Sequence, residues 1–317
     1  MKPKALLYLA LVFCGAVVAS SPVNAQPGGG STYHSIEARI VEAPLVIRGT
    51  VTNLTPKMLP YPNRFTGTNN YILTVRVDEV LKGRLKGKVL EFSFPSWKEF
   101  EQWVAQRASF LWFLDSSGTL LNSDYPCWLN VISLGPALPD GDLGTMSHNI
   151  LGTPVYDMHM TILTKPEDTL SRARSFTKKR MDAAELHSIY LPQRSTSDHY
   201  FYRSELVVPV EPSLERTAKH LIAKPDDFIT TNRESNLVPQ WRCDYRADGA
   251  SALQYFKSTA NIKLLKSLLN APDYWIESPN LKIYSVRQTS YDVLRGWDVD
   301  VPKPVTQETV PEQETRP

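Results

Sequence analysis

The residues of this chain most able to do chemistry are its six histidines, His34, His148, His159, His187, His199 and His220. A helical zinc hydrolase site needs two histidines four apart around a glutamate, and no His-Glu-x-x-His occurs; nor does any Cys-x-x-Cys. The tightest pairing of ligand-type side chains is Asp157-Met158-His159, within a segment from Pro154 to Leu163 that reads as a strand. Alternate residues of a strand project from one face, so Asp157 and His159 could grip a metal ion or exchange a proton. No third ligand stands nearby, and a hydrogen-bonded pair on a solvated strand face is the plainer expectation. Ser197-Asp198-His199 is weaker still, because consecutive loop residues do not orient like a triad. The carboxylate pairs Asp78-Glu79, Asp140/Asp142 and Asp226-Asp227 lie beside one another rather than across a cleft, as glycoside hydrolysis would require. They fit solvated turns and strand ends better. Asp140-Gly141-Asp142 lacks the further spaced ligands of a calcium loop. There is no Gly-x-Ser-x-Gly elbow and no phosphate loop, and Gly28-Gly29-Gly30 follows no strand. The sequence therefore assigns no catalytic, cofactor-binding or metal residue, and no cofactor.

Charge excludes other classes of partner. The chain has 35 Lys and Arg against 33 Asp and Glu. Lys2 and Lys4 precede an apolar run from Ala5 to about Val18, which ends in small residues with Val23-Asn24-Ala25 at a cleavage-type position. The expectation is a secretory signal peptide over 1–25 and an exported protein, periplasmic or extracellular, after cleavage near Ala25. The run is short for a bilayer span, and no other apolar stretch suits one, so integral membrane association is not expected. Without Lys2 and Lys4 the balance is even, which leaves no field to draw in nucleic acid. Lys82, Arg84, Lys86 and Lys88 crowd a hairpin tip and Lys178-Lys179-Arg180 end a helix, where lysines protect sheet edges and cations suit the helix dipole. After cleavage Cys127 and Cys243 remain, in a compartment that permits a bridge between them, with two buried thiols as the alternative. Trp112, Trp128 and Trp297 read as core, and Tyr200, Phe201 and Tyr202 as contact residues of a loop.

The elements that must position these groups change rhythm along the chain. Gln26 to His34 reads as a flexible linker. Ser35 to Ala43 suggests a short helix that Pro44 stops. Leu45, Ile47 and Val51 then alternate with polar residues, as do Tyr71, Leu73, Val75 and Val77, and Val89 to Phe94 returns after Gly83 and Gly87; the three make a meander. Phe110-Leu111-Trp112-Phe113-Leu114 is apolar throughout and predicts a strand buried on both faces. Leu129 to Leu134 and Pro154 to Leu163 add strands. Thr164 and Glu167 with Pro166 form a capping-box arrangement for a helix from about Lys165 to Arg180, whose basic surface should face outward. Glu205 to Val210 is a short strand. From Ser213 the period is helical, with stripes through Leu214–Ile222, Ala250–Phe256, Ile262–Leu269 and Val286–Trp297, and Ser258 as the third helix's cap. The tail from Pro302 is poor in large apolar side chains and should be disordered.

Two passages carry a resemblance. Val46-Ile47-Arg48-Gly49-Thr50-Val51, Val75-Arg76-Val77-Asp78-Glu79-Val80-Leu81-Lys82-Gly83 and Gly87-Lys88-Val89 resemble the opening strands of the OB-like barrel of the TIMP and netrin type. Ala250 to Ser258 with Ile262 to Asp273 is similar to a HEAT-like repeat. Together the order resembles a group of uncharacterised exported bacterial proteins. Protease inhibition does not carry over, because a chain starting at Gln26 lacks the amino-terminal cysteine that TIMPs use. The expected architecture is α+β: a flexible linker over 26–34, a small antiparallel OB-like barrel over 35–164, a connecting helix, loop and strand over 165–211, a HEAT-like helical domain over 212–301 and a disordered tail over 302–317. The expected function is a non-enzymatic interaction module for a protein or glycan partner. A metal-assisted hydrolase using Asp157 and His159 is the alternative.

Overall fold

The computed structural model describes residues 32–57, 70–95, 98–119, 131–135, 155–179, 181, 185–191, 204–229, 238–278 and 280–310. It is a mixed α+β fold whose sheets are mainly antiparallel. Strand β1 (Thr32–His34) leads into α1 (Ile36–Glu42), where the Ser35 hydroxyl accepts the Ala38 amide at 3.1 Å and so caps the helix. Five strands follow around one helix: β2 (Leu45–Lys57), β3 (Asn70–Lys82), β4 (Val89–Pro95), α2 (Lys98–Gln106), β5 (Ser109–Leu114) and β6 (Val131–Gly135). They pair antiparallel in the order β4-β3-β2-β5-β6. The meander lies where the alternation places it. Lys82, at the end of β3, turns inward rather than guarding an edge: its ammonium donates to the Ile40 and Val41 carbonyls at 2.5 and 3.1 Å and closes the end of α1.

β5 is buried on both faces, as its unbroken apolar run predicts. Phe110, Trp112 and Leu114 join Leu45, Ile47, Leu73, Phe92 and Trp103 in one cluster, while Leu111 and Phe113 join Val46, Ile36 and Ile40 in another. Full burial of each such side chain contributes roughly 1.5–3 kcal/mol, so β5 is the hinge between two cores. Gly49 makes room for this. A Cβ there would stand 2.6 Å from Val75 Cγ1, and the Trp112 indole donates to the Gly49 carbonyl at 3.2 Å.

The sheet is open. Among the described residues β4 and β6 remain at opposite edges, so the expected OB-like barrel is not closed. One face of the sheet is covered instead by side chains: Trp103 of α2 packs on Phe110 with centroids 4.8 Å apart, and Phe92 stacks on Trp112 at 5.0 Å. An aromatic plug removes this face from water without requiring the edges to meet.

Beyond β6, β7 (Val155–Tyr156) and β8 (Ile162–Leu163) form a tiny hairpin in place of the single strand expected from Pro154 to Leu163. α3 (Pro166–Phe176) begins one residue late, with Lys165 as its cap residue and Pro166 in the first turn. No side chain caps it, so the Thr164–Glu167 box is not formed. Its basic surface does not simply face outward either, since Arg172 and Arg174 both reach carboxylates on other elements. β9 (Leu186–Leu191) pairs antiparallel with β10 (Ser204–Pro209), and β10 pairs parallel with β1. The last residues of the expected flexible linker are thus tied into a sheet, because Thr32 to His34 find unpaired backbone along β10.

The helical part comprises α4 (Pro212–Ala223), a short 3-10 turn (Pro225–Phe228), α5 (Val238–Ala252), α6 (Thr259–Leu268) and α7 (Ser285–Gly296). Ser258 accepts the Asn261 amide at 3.1 Å and caps α6, as its position predicts. α5 starts at Val238, well before the apolar stripe expected from Ala250. It crosses α4 closely at Gly249, where a Cβ would lie 2.5 Å from the Ala218 carbonyl. The helices are not an uninterrupted stack. β11 (Trp275–Ser278) and β12 (Leu281–Ile283) separate α6 from α7, and β13 (Gln307–Thr309), from the supposedly disordered tail, completes their sheet. Polar anchors hold the tail where apolar ones are scarce: Arg287 donates to the Val305 carbonyl at 3.1 Å and the Tyr284 hydroxyl to Glu308 at 2.6 Å. Residues 311–317 lie outside the described residues.

One buried cluster runs from Ile36 of α1 through Leu111, Leu206 and Leu214 to Leu294 and Trp297. The cluster joins the helices to the five-stranded sheet by way of α1, α3 and the β9–β10 pair. Among the described residues no helix is long and apolar enough to cross a membrane.

Candidate functional site

The Asp157–His159 pair lies in the turn between β7 and β8, not on a strand face. The sequence folds this way locally because the Asp157 carboxylate caps its own turn: one oxygen accepts the His159 and Thr161 amides, both at 2.9 Å. Its other oxygen takes the Arg172 guanidinium from α3. Arg172 Nε also lies 3.4 Å from Glu37 Oε1, and Glu37 Oε2 accepts the Met158 amide at 2.9 Å. Glu37 is wholly buried. Burial pushes its carboxyl up to about 7, and the neighbouring Asp157 adds to the shift. Two carboxylates and one guanidinium thus clamp the turn to α1 and α3.

His159 stands on the rim of this cluster, with Nδ1 3.3 Å from the Thr217 hydroxyl of α4. Two clefts meet at its ring. One, of about 600 Å³, runs along α3 past Thr161, Asp168, Ser171 and Ser175; the other, of about 330 Å³, lies against Arg216, His220 and Phe228. Asp157 lines the larger cleft, and both of its oxygens are already engaged, one by two amides and the other by Arg172. A metal ion bound there would compete with Arg172 for the carboxylate. Among the described residues no group of three or more His, Cys, Asp or Glu is placed to hold a metal ion.

The other residues singled out from the sequence are scattered. Asp78 accepts the Thr50 hydroxyl at 2.5 Å and Arg76 at 2.9 Å, while Glu79 holds Arg174 through both oxygens at 3.0 and 2.7 Å. Asp226 pairs with Arg242 and Asp227 with His220. His34 pairs with Glu42, Lys179 with Glu211, and His187 is largely buried, which pushes its ring down to about 4. Trp112 and Trp297 are core, and Cys243 is a free, buried thiol. Cys127, Trp128, Asp140, Asp142, His148, Asp198, His199 and Tyr200 to Tyr202 lie outside the described residues.

A second concavity escaped the sequence reading. It lies between the first turn of α5 and the start of β11, has a volume of about 560 Å³, and is lined by Pro239, Gln240, Arg242, Pro272, Tyr274 and Ile276, with Cys243 behind them. Burial pushes the Cys243 thiol up to about 12, and Asp273 and Asp244 add to the effect. The charges here neutralise one another. Arg242 grips Asp226 at 2.6 and 3.0 Å, and Arg246 pairs with Asp273. Two apolar side chains are exposed beside these pairs: Ile276 is 53% and Tyr274 38% accessible, with the Lys282 ammonium 4.7 Å from the Tyr274 ring. The alternation of Tyr274 and Ile276 after Pro272 was the available signal, a period of two inside a region otherwise periodic as helix. No known protein family, curated protein or solved structure matches the chain.

Proposed function

We propose that the protein is an exported, non-enzymatic interaction module for a protein or glycan partner, and that the groove between α5 and β11 is its partner-facing surface. The observation that carries this reading is the exposure of Tyr274 and Ile276 beside charges that are already paired, because covering apolar area is favourable and each neighbouring ion keeps a partner when water is displaced. Export rests on the Lys2–Ala25 leader pattern. The finer architecture belongs to the same proposal. The strand order third-second-first-fourth-fifth, with α2 between the third and fourth strands, supports an opened OB-like sheet, and the packing of α5 against α4 and α7, and of α6 against α7, supports a HEAT-like origin for the helices. The hydrolase alternative is weakened by the engagement of Asp157 with Arg172 and two amides.

The test is site-specific photo-crosslinking in the native cell envelope. A probe replacing Tyr274 should give one discrete adduct, and a probe replacing Ser171 in the α3 cleft none. Stoichiometric zinc in the purified mature chain, lost in His159→Ala, would overturn the reading in favour of the hydrolase.

A further inference from the structure

The buried cluster under His159 holds one more carboxylate than its single guanidinium can balance. Asp157 is 3% exposed at its side chain and Glu37 not at all, and both address Arg172. Glu37 Oε1 is buried without a well-formed hydrogen bond, its cation Arg172 Nε standing 3.4 Å away, so an ionised Glu37 would leave two anions sharing one guanidinium. A proton on Glu37 restores one cation to one anion.

We propose that Glu37, Arg172 and Asp157 form a proton-dependent clasp: with a proton on Glu37 the 157–161 turn stays closed on α1, and loss of that proton as the pH rises opens the turn and reshapes the two clefts that meet at His159.

The direction follows from linkage. A carboxyl buried in the closed turn holds its proton up to about pH 7, whereas one freed to solvent behaves near the ordinary 4.5. The closed form therefore binds a proton that the open form releases, and raising the pH through this window favours opening. The same sign applies to global stability, which Glu37 lowers as the pH rises from 4.5 to 7.

The groups facing Glu37 are Asp157 of the turn and Arg172 of α3. Of the other charges on the packed elements, Glu167 and Asp168 lie in the first turn of α3, with Asp168 on the cleft, and several more have partners of their own. Arg39 of α1 donates to the His34 carbonyl, and His34 of β1 pairs with Glu42. Lys82 of β3 binds the α1 carbonyls, Arg174 of α3 holds Glu79, and Glu205 of β10 lies at the Thr32 register position of the β1–β10 pair. His187 of β9 has the opposite sign, since its depressed ring loses the fold stability as the pH falls from 6.5 toward 4. A bare stability profile would mix the two, so the clasp must be read locally.

Backbone hydrogen exchange at Met158 to Thr161, corrected for intrinsic rates, provides that local measurement in the full mature chain. Protection should fall on the order of tenfold or more between pH 5.5 and 8 in the native sequence. In Glu37→Gln, a neutral isostere that can still accept the Met158 amide, it should stay high at both values. An equal fall in Glu37→Gln, or no fall in the native chain, would overturn the clasp. Carbon-13 titration of the Glu37 carboxyl in the unmutated chain is independent of any variant's folding: a midpoint near 7 supports the clasp, and one near 4.5 refutes it.

Discussion

The turn at His159 and the groove at Tyr274 handle charge in opposite ways. At the turn, Glu37, Asp157 and Arg172 are consumed by one another and by backbone amides, and the chemistry-bearing side chains become struts between α1, β7 and α3. At the groove, Arg242 and Arg246 are drawn off by Asp226 and Asp273, which leaves apolar side chains in water. Residue types alone pointed to the first region. Counting which polar atoms face solvent unengaged points to the second, because Asp157 is already held by two amides and Arg172 and Glu37 is wholly buried, while an uncovered Ile276 still has area to bury.

The comparison can be broken most forcefully at Arg172. Replacing it with Met removes the single cation from a nearly dry pair of carboxylates, and stability should drop by about 3 kcal/mol, read as a lower urea midpoint at pH 7.5. A loss under about 0.5 kcal/mol would mean that the turn is solvated and that its carboxylates are as available as their types suggest. The next largest effect is expected on the groove side. Gly249→Ala places a methyl against the Ala218 carbonyl and the Ile222 and Leu221 side chains, so α5 must shift from α4. The cost should be roughly 1–3 kcal/mol. Because Pro239, Gln240 and Arg242 ride on the same helix, crosslinking at Tyr274 should weaken as well, while exchange at Met158 should not change.

Part of this contrast was legible in advance. The meander, the two-faced β5 and the Ser258 cap each depend on near neighbours in sequence, and alternation, an apolar run and a hydroxyl before a helix suffice to read them. Asp157 and His159 were also identifiable as neighbours. Their meaning was not, because the partners that settle it are Glu37, on another element 121 residues away from Met158, and Arg172 on α3. The strands β11 to β13 were hidden for a related reason: Arg287 stacks 3.7 Å over Tyr284 and binds the tail's backbone, so a segment with little apolar content is held by tertiary polar contacts. The helical period around it masked the two-residue rhythm of Tyr274 and Ile276.

Two smaller effects sharpen the comparison. Thr217→Val removes the hydroxyl beside His159 Nδ1 together with its bond to the Ser213 carbonyl at 3.3 Å, and should cost about 1 kcal/mol by urea titration. A larger cost would make His159 a structural part of the clamp rather than its rim.

The smallest expected change in stability tests the groove most directly. Ile276 is over half exposed, so Ile276→Glu gives up little buried area and adds a charge that water can solvate. Its urea midpoint should match that of the native chain within about 0.5 kcal/mol. The adduct formed from position 274 should nevertheless disappear, because an apolar partner surface would have to cover an unpaired carboxylate. If the adduct persisted at full yield in a stably folded Ile276→Glu chain, the exposed side chains would be ordinary surface, and the distinction between a closed polar turn and an uncovered apolar groove would lose its functional content.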